Sequence, residues 1–204
     1  MRSSLVEKLS NLVWEYKLGI RTRGISNVES ASHEQIHYAS ISYRSMEIIL
    51  NHLQLGPSDT FVDLGSGKGR MLCCAAIRKL RKVIGVECVG PLAEVATKNA
   101  DQLRGKQSPI EVLSVEAQKY DYSIGTAFYM FHPFGPKTMR EVLAQLKRGL
   151  QRNPRDIRIA YVNPEHNAVL RECSWLEEYE YWTLGANSIA EHEVSWWKNN
   201  EYGS

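Results

Sequence analysis

The stretch from Thr60 to Arg70, TFVDLGSGKGR, restricts what this chain can fold into more than any other. An apolar run ends in Asp63, glycines follow at 65, 67 and 69, and Met71 to Leu80 has helical spacing, so the order is strand, tight loop, helix. Alternating glycines permit positive φ and leave no Cβ between backbone and ligand, while the next helix offers unpaired N–H groups at its start. Such a loop suits a ligand with an anionic or strongly accepting group. The next apolar run, Lys82 to Val86, delivers Glu87, 24 positions beyond Asp63. An acid at the end of a second strand is placed to hold a ribose diol. In the dinucleotide fingerprint G-x-G-x-x-G the third glycine comes three positions after the second; here Gly69 follows Gly67 by two, which argues against a nicotinamide dinucleotide.

With 204 residues, 43% of them hydrophobic, the chain has room for one sheet-centred core. A net charge of +2 neither requires nor excludes nucleic acid. Cys73, Cys74, Cys88 and Cys173 form no C-x-x-C pair and read as reduced thiols rather than metal ligands or disulfides. Glu7 and Lys8 interrupt what would be the apolar part of a signal peptide, and no apolar run approaches about 18 residues. The expectation is a cytoplasmic protein with no membrane segment and no metal.

Along the chain, Ser4-Leu5-Val6-Glu7 has capping-box spacing, and Leu5, Leu9, Leu12, Val13 and Tyr16 predict an inward helical face ending near Lys17. The polar, glycine-containing stretch from Arg21 to Ser30 predicts a loop, and Ser32 to Gln35 a capped turn. Residues 1–31 are thus expected as an N-terminal helix and loop, and 32–204 as the main domain. A helix is expected from Ser42 to Leu53 with Met46, Ile49, Leu50 and Leu53 inward, another from Pro91 to Leu103, and a third from Pro136 to Leu150. Ile110 to Val115, Gly125 to Phe131 and Arg158 to Asn163 read as strands, and 178–183 with 192–197 as a closing pair.

Val62 to Arg70 resembles the first motif of the class I S-adenosylmethionine-dependent methyltransferases, and Glu87 the acid that ends their second; the resemblance runs from Tyr38 to Trp197. It implies a Rossmann-like α/β fold: a seven-stranded, mainly parallel sheet with helices on both faces and a C-terminal antiparallel strand pair. It implies S-adenosylmethionine as cofactor, bound by Asp63, Gly65, Ser66, Gly67, Gly69, Arg70, Glu87 and Cys88. In that family the acid after the third strand, here Glu116, accepts from the adenine amino group and the next backbone N–H, at Ala117, meets the ring; a helix cap is the other reading of Glu116. The segment before the first motif folds over the cofactor, so Tyr38 and Tyr43 either touch cofactor or substrate or pack in the core. Several protein-lysine methyltransferases outside the SET fold carry Tyr-x-Pro there, where this chain has Tyr38-Ala39-Ser40.

Amino-group methyltransferases carry Asn or Asp, then proline and an aromatic residue, at the end of their fourth strand. His132-Pro133-Phe134 resembles the short form of that motif with histidine in first place. The resemblance implies that Phe134 packs on the acceptor and that His132 or a nearby water takes its proton; a satisfied loop histidine is the plainer reading. The implied reaction is methyl transfer to a nucleophile, nitrogen favoured, on a protein lysine or a small molecule, with nucleic acid left open by the basic face of Lys137, Arg140, Lys147 and Arg148. The rival from another class is a non-catalytic module that binds the cofactor or supports a partner.

Overall fold

Parallel strands cannot be joined by tight turns, so each buried apolar run must be followed by a segment that carries the chain back across a face of the sheet. The computed structural model, which describes residues 5–23, 27–29, 35–37, 41–185 and 192–200, has that arrangement. In chain order it comprises α1 (Leu5–Leu18), β1 (Asn27–Glu29), β2 (Gln35–His37), α2 (Tyr43–His52), β3 (Thr60–Leu64), α3 (Arg70–Ala76), β4 (Lys82–Val86), α4 (Gly90–Gln102), β5 (Ile110–Leu113), β6 (Ala127–Phe131), α5 (Pro136–Arg152), β7 (Arg158–Val162), α6 (Asn167–Arg171), β8 (Leu176–Trp182) and β9 (Val194–Asn199).

The strands from β3 onward form one seven-stranded sheet in the order β5-β4-β3-β6-β7-β9-β8. Neighbours from β5 to β7 are parallel, and β9 runs antiparallel to both β7 and β8. This is the Rossmann-like sheet expected from the sequence, with the closing strand inserted between β7 and β8. Strand order reverses between β3 and β6, which opens a crevice at their C-terminal ends. Successive central residues feed opposite faces: Phe61, Tyr129 and Ala160 pack with α2 and α3, whereas Val62, Phe128 and Ile159 pack with α5. Met46, Ile49, Leu50 and Leu53 are buried as expected, each contributing about 1.5–3 kcal/mol of apolar burial. Ser42 starts α2 by accepting from the Ser45 N–H at 3.2 Å.

The N-terminal region differs from its sequence expectation. Leu9, Leu12, Val13 and Tyr16 face solvent, and α1 turns Trp14, Glu15 and Leu18 inward. Apolar spacing misled because the inward face carries a carboxylate whose cationic partner, Arg70, is remote in sequence. Residues 27–29 and 35–37, expected as loop and turn, pair antiparallel. Helix α3 stops at Ala76, short of Leu80, because the N–H groups of Gln107 and Ser108 take the Ala76 carbonyl at 2.8 and 3.1 Å. Among the described residues no helix is long and apolar enough to cross a membrane.

Candidate active site

Strand β3 carries Asp63, 2% exposed, to the crevice, where the chain turns through Gly65, Gly67 and Gly69 at φ of 77°, 54° and 80°. Those left-handed values are the ones that glycine adopts without Cβ strain. The N–H groups of Gly65 and Ser66 donate to the Val86 carbonyl at 2.9 and 3.1 Å, laying the loop across the end of β4. Glu87 follows immediately and accepts from the Gly67 N–H at 2.8 Å and the Val89 N–H at 2.9 Å. The Val115 N–H reaches the Glu87 carbonyl at 3.2 Å, which brings the end of β5 alongside. Loop, second acid and third strand end therefore meet at one place.

Burial first, and the Glu87 charge second, hold the Asp63 carboxyl well above the usual carboxylate range. Burial also raises Glu87, against the pull of the Val89 and Gly67 N–H groups. The residues present fit S-adenosylmethionine. Ser66 Oγ is buried with no hydrogen-bond partner among the described residues, which leaves it for a ligand.

The remaining candidates lie around this centre in different ways. Cys88 is exposed next to Glu87. Glu116 is exposed at the rim, its carboxylate accepting from Gln118 Nε2 at 2.8 Å and Lys119 Nζ at 3.1 Å, while half-buried Ala117 opens a 3-10 turn. Glu116 precedes that turn, but its side chain makes no capping bond. Tyr38 lies outside the described residues. Tyr43 is buried in a stack with Trp14, ring centroids 5.7 Å apart. Arg70 turns inward: its Nε donates to Thr22 Oγ1 at 2.7 Å, its guanidinium reaches the Ile41 carbonyl at 3.2 Å and lies over the Tyr43 ring. The polar atoms of Arg70 are thus engaged by protein groups beneath the loop.

At the end of β6, Pro133 lies directly on the glycine loop; a Cβ built on Gly65 would fall 2.6 Å from Pro133 Cβ. His132 and Phe134 are half-buried on either side, Phe134 against the α5 face of the core. His132 Nε2 is 3.1 Å from Glu165 Oε2, and Nδ1 is 3.5 Å from the Tyr161 hydroxyl. The His166 ring lies 5.1 Å from that of His132.

Residues 16–132, more than half of the chain, match the family described as histone methylation protein DOT1. The chain belongs to the DOT1 family. A histone-lysine N-methyltransferase specific for lysine 79 of H3, from Caenorhabditis elegans, is 38% identical over 69 residues, which make up 33% of this chain and 7% of that protein. The chain thus matches a small fraction of that relative's length. An RNA methyltransferase from Salinibacter ruber, solved with S-adenosyl-L-homocysteine, superposes with a TM-score of 0.62 at 16% identity, covering 81% of this chain and 97% of that one. An S-adenosylmethionine-dependent O-methyltransferase from Thermotoga maritima superposes with a TM-score of 0.60 at 15% identity, covering 82% of this chain and 69% of that one. At such identities the shared property is the fold alone.

In this DOT1-family chain the support beneath the cofactor loop went unseen in the sequence. Glu15 accepts from the Thr22 N–H at 2.9 Å, Thr22 Oγ1 at 2.7 Å and Arg23 Nε at 2.7 Å, with Arg70 3.6 Å away. Burial would raise its pKa, but bonds from Thr22 and Arg23 and the Arg70 charge outweigh it, and the net shift is downward. Buried Asn99 clamps the Arg21 backbone from both sides and donates to the Lys68 carbonyl at 2.9 Å. No local pattern announces these residues, because their partners are far apart in sequence. Asn163-Pro164-Glu165-His166 is different: like His132-Pro133, it puts a polar residue and a proline at the end of an apolar run, and that parallel was a readable signal.

Proposed function

We propose that this chain transfers a methyl group from S-adenosylmethionine to the side-chain nitrogen of a protein lysine. The observation that carries this reading is the DOT1 match over residues 16–132, which includes the glycine loop, Glu87 and the first residue of the His132-Pro133-Phe134 loop. The lysine-79-specific relative supports the same acceptor class. So does the charge at that end of the sheet, where Glu165 and Glu193 are exposed beside His132 and the end of β7.

When bound, the cofactor would supply an electrophilic methyl on a sulfonium sulfur, which would keep the electrons of the broken carbon–sulfur bond while a lysine amine, its ammonium proton first released to water, forms the new bond to carbon. Displacement of this kind needs its reacting atoms in line, and proximity is the protein's main contribution. Glu87, the loop from Asp63 to Gly69 and the end of β5 would hold the nucleoside. Pro133, seated on Gly65, ties the acceptor loop to the cofactor loop, so neither moves independently of the other. Phe134 supplies an apolar wall for the lysine methylenes. The test is transfer of radiolabelled methyl from S-adenosylmethionine to core histones and lysate protein, with the modified residue identified by mass spectrometry. Methyl-lysine that disappears in Phe134→Ala, with S-adenosylhomocysteine binding retained, is the expected result. Label found only in RNA or on oxygen would overturn the lysine assignment.

A further inference from the structure

Among the described residues only Gln54, His132 and Asn163 are non-glycine residues with positive φ, and the last two, at 37° and 49°, end neighbouring strands β6 and β7. Each precedes a proline, where α-type backbone is disfavoured anyway. Such strain persists where surrounding structure enforces it, and it concentrates at functional sites. Here the enforcement is visible: the His132 N–H donates to the Val162 carbonyl at 3.2 Å, and the Asn163 N–H to the Glu193 carbonyl at 2.9 Å.

The strained pair converges on Glu165. Its Oε1 accepts from Asn163 Nδ2 at 3.0 Å, and its Oε2 faces His132 Nε2 at 3.1 Å. The Tyr161 hydroxyl accepts from the His166 N–H at 3.2 Å and stands 3.5 Å from His132 Nδ1. Both nitrogens of His132 therefore face groups of the protein itself, Nδ1 the Tyr161 hydroxyl and Nε2 the Glu165 carboxylate. The group that still has acceptor capacity facing outward is Glu165, whose side chain is 57% exposed.

Building on the lysine reading, we infer that Glu165 is the residue that receives the acceptor ammonium, with His132, Asn163 and Tyr161 as positioning residues that hold its carboxylate. A lysine arrives protonated at neutral pH. A carboxylate fixed by two donors and open on its remaining lone pairs discriminates a primary ammonium from a neutral side chain of the same shape. His132, which faces the Glu165 carboxylate, is the residue before Pro133, and Pro133 sits on the glycine loop.

The test uses the full chain with S-adenosylhomocysteine and follows the His132 imidazole signals by nitrogen-15 NMR while Nα-acetyl-lysine methylamide is added. Nα-acetyl-norleucine methylamide is the neutral control. The lysine probe is expected to shift the His132 signals and norleucine to leave them in place. Glu165→Gln should weaken lysine-probe binding roughly 10- to 100-fold, the range expected for losing one charge-assisted hydrogen bond. Glu165→Asp should retain part of it. In turnover, Glu165→Gln should raise KM for the protein acceptor far more than it lowers kcat, with affinity for S-adenosylhomocysteine unchanged. Equal binding of the two probes, equal binding in wild type and Glu165→Gln, or no binding of the lysine probe would each overturn the assignment. A wild type that binds the lysine probe and yet methylates no lysine would instead sink the functional reading and leave this site standing.

Discussion

Gly65 is where the cofactor loop and the acceptor loop press on each other, and replacing it with alanine measures that contact. Two separable terms oppose the substitution. At φ of 77° an L-residue sits in the left-handed region, which costs about 1–2 kcal/mol. The added Cβ would also stand 2.6 Å from Pro133 Cβ, well inside the roughly 3.5–4.0 Å at which carbon atoms rest, and overpacking of this kind costs about 1–3 kcal/mol. The sum is about 2–5 kcal/mol. At roughly 2–4 °C per kcal/mol for a chain of this size, Gly65→Ala should melt about 4–20 °C below wild type. Gly105 provides the internal control: its φ is 73°, but a Cβ there meets nothing within 4 Å. Gly105→Ala therefore carries the backbone term without the steric one, and the difference between the two variants isolates the Pro133 contact. Urea unfolding of both variants gives that difference directly, and methyl transfer should fall in Gly65→Ala and stay near wild type in Gly105→Ala. If the two variants were equally destabilised, the close approach of Pro133 to Gly65, and the coupling of the two loops argued from it, would be refuted.

The other predictions concern charges. Glu87→Gln keeps the shape of the side chain but loses its charge, and S-adenosylhomocysteine affinity by calorimetry should fall about tenfold or more; a change within twofold would remove Glu87 from the site. Asp63 has a raised pKa when folded, so the folded state keeps its proton to higher pH than the unfolded chain, and stability is lost as pH rises from about 3.9 through the folded value. Asp63→Asn should therefore be more stable than wild type at pH 7 without ligand and lose that advantage toward pH 4; a difference independent of pH argues against a buried, protonatable Asp63. Glu15 behaves in the opposite sense, its depressed pKa contributing stability that is present above about 4.3 and lost as pH falls through the folded value. Glu15→Gln leaves Arg70 buried without its counter-charge and should cost about 3–5 kcal/mol at pH 7 by urea unfolding, with the deficit shrinking in acid; a cost below about 1 kcal/mol would mean that the strut under the loop is idle.

Much of this protein was determined by sequence alone, and the reason is that the determining signals are local. Strand period, glycine spacing from 65 to 69 and the acids at 63 and 87 act over a few residues, and they specified both the doubly wound sheet and the meeting of the glycine loop with Glu87 at the ends of its strands. The histidine at 132 was legible for the same reason, as a polar residue closing an apolar run. Tertiary structure decided what depends on partners distant along the chain. It turned α1 over, because Glu15 finds Arg70 across more than fifty residues of sequence, and an ion pair of that range leaves no periodic trace. It drew the Arg70 guanidinium inward to Thr22 and Ile41. It also closed His132 into a bonded group with Tyr161 and Glu165, so that the carboxylate rather than the imidazole faces outward, a choice made by packing two strand ends side by side and by nothing in either strand alone.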